Sequence, residues 1–169
     1  MGIDQYKSCF WQWVHNPNQN IPIMKSTVKE ILDEKGGVVW TINSNETVYE
    51  ALVKMSKKEI GALCVMENDK FVGIFTERDY ARKVVLHGKS SKESLVGELM
   101  TKEVAVINQD TTIDECMTLM TQKRVRHLPV MQGDKFIGII SIGDVVSRTI
   151  KDQELTIKNL EDYIYGKPS

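Results

Sequence analysis

The sequence predicts a mixed α/β (α+β) fold in which two copies of one β-α-β-β-α unit pack about a pseudo-two-fold axis. Three observations predict it. The chain aligns with itself without a gap: Ile42-Asn43 falls on Ile107-Asn108, Thr47-Val48-Tyr49-Glu50 on Thr112-Ile113-Asp114-Glu115, and Asp69-Lys70-Phe71-Val72-Gly73-Ile74 on Asp134-Lys135-Phe136-Ile137-Gly138-Ile139. Each copy sets one amphipathic helical stretch against two short apolar runs joined by a turn dipeptide. Two copies are too few for an open solenoid, so each is expected to cover the other's apolar face.

The elements follow in chain order. Residues 1–25 lie outside the repeat. Their Tyr6, Phe10, Trp13 and Val14 come close to a helical stripe that Trp11 leaves, and so many apolar rings are expected to pack on the module or across a dimer. The first copy spans 26–86. It opens on Val28-Lys29-Glu30-Ile31-Leu32, which resembles Val96-Gly97-Glu98-Leu99-Met100 at the head of the second copy, with a few extra residues near Glu34 to Gly37. Thr47 with Glu50, and Thr112 with Glu115, are capping boxes that start a helix in each copy. Val48, Ala51, Leu52 and Met55 share one helical face, as do Ile113, Cys116, Met117 and Met120.

Ala62 to Met66 and Leu128 to Met131 read as buried strands. Asn68-Asp69 and Gly133-Asp134 are turn signals, and Phe71 to Phe75 and Phe136 to Ile140 are the strands that follow. Helices are then expected from Thr76 to about Val85 and from Ser141 to about Ile150. A polar linker, 87–94, joins the first copy to the second, 95–150. The tail, 151–169, has helical character through Leu155, Ile157, Leu160, Tyr163 and Ile164.

Composition narrows the function. Lys plus Arg is 22 and Asp plus Glu is 23, a net charge of −1, which argues against a broad nucleic-acid surface but not against one small anion. No run approaches the ~20 apolar residues of a membrane helix. The N-terminus has neither the layout of a secretory signal nor the arginine content of a transit peptide, so the expected compartment is the cytoplasm. Cys9, Cys64 and Cys116 are far apart and form no CxxC, which argues against disulfides and zinc. Cys64, Cys116 and the methionines fall where core filling is expected. No nucleophile–histidine arrangement and no paired carboxylates stand out, so no catalytic residue and no enzyme activity are expected.

Each copy carries Gly-x-x-(Thr/Ser)-x-x-Asp where a strand enters a helix: Gly73-Ile74-Phe75-Thr76-Glu77-Arg78-Asp79 and Gly138-Ile139-Ile140-Ser141-Ile142-Gly143-Asp144. A helix start with free N–H groups, a hydroxyl and a dipole suits a phosphate, and an acceptor-only carboxylate suits ribose hydroxyls. Arg78 can grip a phosphate and its counterpart Gly143 cannot, so the two sites are expected to differ. The same spacing is also that of a plain helix cap.

The doubled motif, together with Val125-Arg126-His127-Leu128-Pro129-Val130 and its counterpart Ile60-Gly61-Ala62-Leu63-Cys64-Val65, resembles the CBS domain family, named for cystathionine β-synthase. The tandem resembles a CBS pair, or Bateman module, over about Ser26 to Ile150. The runs Thr76-Glu77-Arg78-Asp79-Tyr80-Ala81-Arg82-Lys83 and Ser141-Ile142-Gly143-Asp144-Val145-Val146 look closest to small stand-alone CBS-pair proteins of bacteria and plant mitochondria.

That resemblance implies a regulatory adenosine ligand: AMP first, with ADP, ATP or NAD(H) as the other options, and no metal. It implies two clefts that mix the repeats. In one, Thr76 and Arg78 would face phosphate and Asp79 ribose, with Val104, Ala105, Val125, Arg126, His127 and Pro129 around the adenine. In the other, Ser141 and Asp144 would serve phosphate and ribose, with Val39, Trp40, Ile60, Gly61 and Ala62 around the base. Apolar walls with backbone donors suit a planar base. A homodimer acting on a regulated protein, without nucleic acid or membrane, is the implied setting. A ligand-independent dimer that docks a client, for example a redox protein, is the alternative.

Overall fold

A computed structural model describes residues 26–165. The aromatic N-terminal stretch and the last residues of the tail lie outside the described residues, as does the side chain of Tyr163. In order, the elements are α1 (Val28–Glu34), β1 (Thr41–Asn43), α2 (Val48–Lys58), β2 (Ala62–Glu67), β3 (Lys70–Thr76), α3 (Glu77–Asp79), α4 (Val96–Leu99), α5 (Ile113–Lys123), β4 (His127–Gln132), β5 (Lys135–Ser141) and α6 (Ile142–Tyr165). Both capping boxes form: the Glu50 and Glu115 amides donate to the Thr47 and Thr112 hydroxyls, and each glutamate accepts from its threonine's backbone N–H. Both helices end alike, with Glu59 and Arg124 left-handed at φ 53°. The next N–H then closes back, Ile60 onto Met55 O at 3.1 Å and Val125 onto Met120 O at 3.0 Å.

The hairpins also repeat. Ala62 pairs with Thr76 in β2–β3 and His127 with Ser141 in β4–β5, and each ladder shifts register at the same place, Val65/Met66 and Val130/Met131. β1 adds to β2 in parallel, whereas its counterpart in the second copy is a single bridge, Ile107 to Val130. The expected first strand of that copy is therefore lost, for a covalent reason. The Cys64 N–H donates to Trp40 O at 3.4 Å. Pro129 stands at the equivalent place and has no N–H to give.

The cores do not follow the halves of the sequence. Val28 and Ile31 of α1 are buried with Ile107, Ile113, Leu128 and Ile140 of the second copy. Val96 and Leu99 of α4, with Met100, are buried with Ile42, Val48, Leu63 and Phe75 of the first. Each leading helix has crossed to the other core. Backbone bonds fasten the exchange: Val28 N–H donates to Thr111 O at 2.9 Å and Ile113 N–H to Ser26 O at 3.0 Å, while Val96 N–H donates to Glu46 O at 2.9 Å and Val48 N–H to Ser94 O at 2.9 Å. These satisfy first-turn amides that have no partner within their own helix. The motif glycines lie under the crossing segments. A Cβ on Gly73 would stand 2.6 Å from Thr101 O, and one on Gly138 2.6 Å from Leu32 Cδ2.

The helix after β3 is not the regular one expected to Val85. After α3 it widens into a π turn, Tyr80–Val84, then tightens into a 3₁₀ turn, Val85–His87. The widening coincides with Lys83 reaching Leu99 O at 2.9 Å and the Thr101 hydroxyl at 3.1 Å. In the second copy the helix and the tail are continuous as α6, which is 24 residues long. Arg148 fastens α6 to α1 through Glu30, Glu34 and the Ser26 hydroxyl.

Candidate functional site

The two motifs form the same local device. Each hydroxyl accepts the amide of its aspartate, Thr76 from Asp79 at 3.1 Å and Ser141 from Asp144 at 3.3 Å. Each aspartate answers with Oδ2, accepting from the Thr76 N–H at 3.0 Å and hydroxyl at 2.6 Å, or from the Ser141 N–H at 2.6 Å and hydroxyl at 2.8 Å. The first helical amide is also taken: Glu77 N–H donates to Gly61 O at 3.1 Å and Ile142 N–H to Arg126 O at 2.9 Å. These helix starts thus offer a phosphate fewer amides than the sequence suggests. Gly143 has no side chain, and a Cβ there would meet only the Ser141 hydroxyl, at 3.6 Å, so its backbone is open to close approach.

Beyond Oδ2 the two carboxylates diverge. Asp79 is buried, and its Oδ1 accepts from the Thr101 hydroxyl at 2.9 Å and pairs with Lys83 at 2.7 Å. Both of its oxygens are engaged. Asp144 is more open, and Lys35 Nζ donates to its Oδ2 at 2.8 Å and to Ile139 O at 3.2 Å. Burial alone would raise the Asp79 carboxyl, but hydrogen bonds from Lys83, Thr76 and Thr101 outweigh it and hold the pKa below the ordinary 3.8. Asp144 is likewise depressed, burial being outweighed by Lys35 and Ser141.

His127 sits opposite Ser141 across the β4–β5 ladder. Burial lowers its pKa below 6.5, the Asp144 charge opposes this, and Lys35 and Arg126 add to it. His127 is thus placed beside Ser141 and Asp144, where the sequence grouping had it with Thr76 and Asp79. The reason is register: each hydroxyl shares a rung with the strand start of its own repeat, and Ala62 faces Thr76 in the same way. The repeats still meet here. Arg78 Nη1 donates to Arg124 O at 3.1 Å, and a Cβ on Gly61 would lie 3.2 Å from Glu77 Oε2 and 4.0 Å from His127 Cε1.

The remaining expected residues line the surroundings. Trp40 and Ile60 pack on the first core, and Ala105 and Val125 on the second. Val39 and Val104 are half-buried, Ala62 and Pro129 are buried, and Arg126 is exposed. Lys58 Nζ stands 4.0 Å over the Trp40 ring, so one face of that ring already carries a cation. Cys64 and Cys116 are free and buried, their thiols pushed up to about 12 and about 11 by burial. Among the described residues no group of ligating side chains could hold a metal, and no helix is long and apolar enough to cross a membrane.

Lys35, Lys83 and Thr101 escaped sequence reasoning. Lys83 lies four residues beyond Asp79, a spacing that brings helical side chains together. Lys35 and Thr101 come from the exchanged segments, and no local pattern announces them. An open pocket beside Asp144 is lined by Ile31, Glu34, Lys35, Ser147 and Arg148.

Comparison with known proteins agrees with this architecture. The family model for the CBS domain matches residues 27–86 and 96–150. A mitochondrial CBS domain-containing protein of Arabidopsis thaliana, CBSX3, is 36% identical over 150 residues, covering 83% of this chain and 73% of the relative. A solved CBS-domain protein of Burkholderia ambifaria, described as acting in signal transduction, is 50% identical with a TM-score of 0.73, covering 76% of this chain and 96% of the other. The CBS domain pair of protein MJ0100, solved in complex with 5′-methylthioadenosine and S-adenosyl-L-methionine, is 27% identical with a TM-score of 0.66, covering 76% and 98%.

Proposed function

The chain belongs to the CBS domain family, its two copies forming one pair, and on that premise we propose that it is a regulatory module that binds an adenosine nucleotide and so alters its engagement of a partner. The observation that carries this reading is the Ser141–Asp144 pair at the head of a long helix, with the Gly143 backbone open and His127 on the same rung. The adenosine-type ligands of the MJ0100 pair support it. In this cleft Asp144 takes ribose hydroxyls, Ser141 and the Gly143 amide face phosphate, and His127 with Val39, Trp40, Ile60, Gly61 and Ala62 surrounds the base. The cleft at Thr76, Arg78 and Asp79, with Val104, Ala105, Val125, Arg126 and Pro129, is the tighter of the two, because Asp79 is already satisfied on both oxygens.

A ligand shifts a regulatory equilibrium only through different affinity for two states. The exchanged segments supply a route. Lys35 and Thr101 touch the two motif carboxylates from segments leading into and out of the opposite repeat, so a ligand at either carboxylate acts on both halves. Thermal-shift measurements with AMP, ATP and NADH, on the wild type and Asp144→Ala, test the reading. AMP is expected to raise the melting temperature of the wild type and not of the variant. If no adenosine ligand moves the wild type, the reading fails.

Exposed apolar residues along α6, including Leu155, Ile157, Leu160 and Ile164, favour a homodimer. They also favour a second reading, in which the dimer docks a client, for example a redox protein, without needing a ligand. Client capture that is indifferent to AMP and to Asp144→Ala would select that reading. Free, buried Cys64 and Cys116 suit a reducing interior, either the cytoplasm or the mitochondrion, the compartment given in the Arabidopsis relative's name.

A further inference from the structure

We propose that Lys35 is the residue through which the Ser141–Asp144 cleft selects a phosphate-bearing ligand over the bare nucleoside; this rests on the adenosine reading above. The two motifs differ at two matched cation positions. Arg78 is answered by Gly143, which leaves the second motif without its own phosphate grip. Lys83, which pairs with Asp79, is answered by Arg148. Arg148 is committed elsewhere: its guanidinium serves Glu30, Glu34, Asp152 and the Ser26 hydroxyl. The first of these cations is therefore absent from the second motif, and the second, although Arg148 lines the pocket beside Asp144, is taken up by other partners.

Lys35 fills that deficit from the other repeat. An ammonium has three protons to donate. Lys35 gives one to Asp144 Oδ2 and one to Ile139 O, which leaves a third for an anion held beside Ser141 and the open Gly143 backbone. The nearby acid does not oppose this, because Glu34 is neutralised by Lys151 at 2.8 Å and Arg148 at 3.0 Å. The segment carrying Lys35 continues into Gly36 and Gly37, both at positive φ, with nothing within 4 Å of a Cβ at either.

Calorimetric titration of AMP and of adenosine into the wild type, Lys35→Ala, Lys35→Arg and Arg78→Ala tests this. A charged hydrogen bond to phosphate leads us to expect the wild type to prefer AMP by about tenfold or more. Lys35→Ala is expected to lose the preference, binding AMP no more tightly than adenosine, and Lys35→Arg is expected to restore it. The proposal is overturned if Lys35→Ala keeps the full preference, or if Arg78→Ala abolishes it instead. If the wild type binds adenosine and AMP equally, Lys35 has no such role and the adenosine reading stands. If it binds neither, that reading itself falls.

Discussion

Lys83 and Arg148 occupy equivalent positions four residues beyond the motif aspartates, yet only Lys83 binds its own aspartate. Lys83 Nζ lies 2.7 Å from Asp79, while Arg148 turns to Asp152 at 3.0 Å and Glu34 at 3.0 Å. One cation closes the first motif on itself, and the other ties α6 to α1. The module is therefore symmetric in fold and unequal in its two sites.

The Asp79 network is expected to be structural first. Asp79→Ala leaves Lys83, Thr76 and Thr101 without their shared acceptor. It should lower unfolding stability by about 1–3 kcal/mol, read by urea denaturation. Asp144→Ala should lower it less, because the Asp144 side chain is 22% exposed against 11% for Asp79. Equal losses would contradict the difference between the sites.

Acid should weaken the fold in a set order. Asp79 and Asp144 have folded pKa values below 3.8, so their contribution is complete above that pH and is lost as pH falls through the depressed values. His127 is depressed below 6.5, so its neutral, buried form favours folding above that pH and the contribution is lost as the pH drops further. Melting temperature is expected to decline below about pH 6.5 and to drop again in the region of pH 4 and below. His127→Gln should flatten the first step and leave the second.

The exchanged segments make two glycines sensitive in different degrees. In Gly73→Ala the new methyl meets a backbone carbonyl, Thr101 O, and in Gly138→Ala the end of a flexible side chain, Leu32. Gly73→Ala should cost about 1–3 kcal/mol and Gly138→Ala less. Leu32→Ala should relieve Gly138→Ala and do nothing for Gly73→Ala. Chemical denaturation of the double variants checks it.

A fragment ending at residue 94 is expected not to fold. Its core would lack Val96, Leu99 and Met100, which α4 and the residue after it supply, and its own Val28 and Ile31 would have no second core to enter. A cooperative melt from that fragment would contradict the exchange. In the full chain, Leu99→Ala should cost about 2–5 kcal/mol.

Much of this was legible in the residues. Thr47 with Glu50 and Thr112 with Glu115 announce both helices, and the short apolar runs place all four hairpin strands to within a residue or so. The loss of a first strand opposite Pro129 could have been read from the missing N–H. The crossing of α1 and α4 could not, because a short apolar helix looks the same whichever core it enters. Lys35 beside Asp144 and Thr101 beside Asp79 follow from that crossing, whereas His127 stands beside Ser141 through the register of its own hairpin. Residues that meet through tertiary exchange leave no spacing to detect.

Whether an adenosine nucleotide sits at the Ser141–Asp144 helix start can be read at the amides of that turn. The most direct measurement is a titration of AMP followed in the amide ¹H–¹⁵N spectrum. Saturable shifts are expected at Gly143, Asp144 and His127, abolished in Asp144→Ala. An unchanged spectrum at those amides, with AMP in large excess, would contradict it.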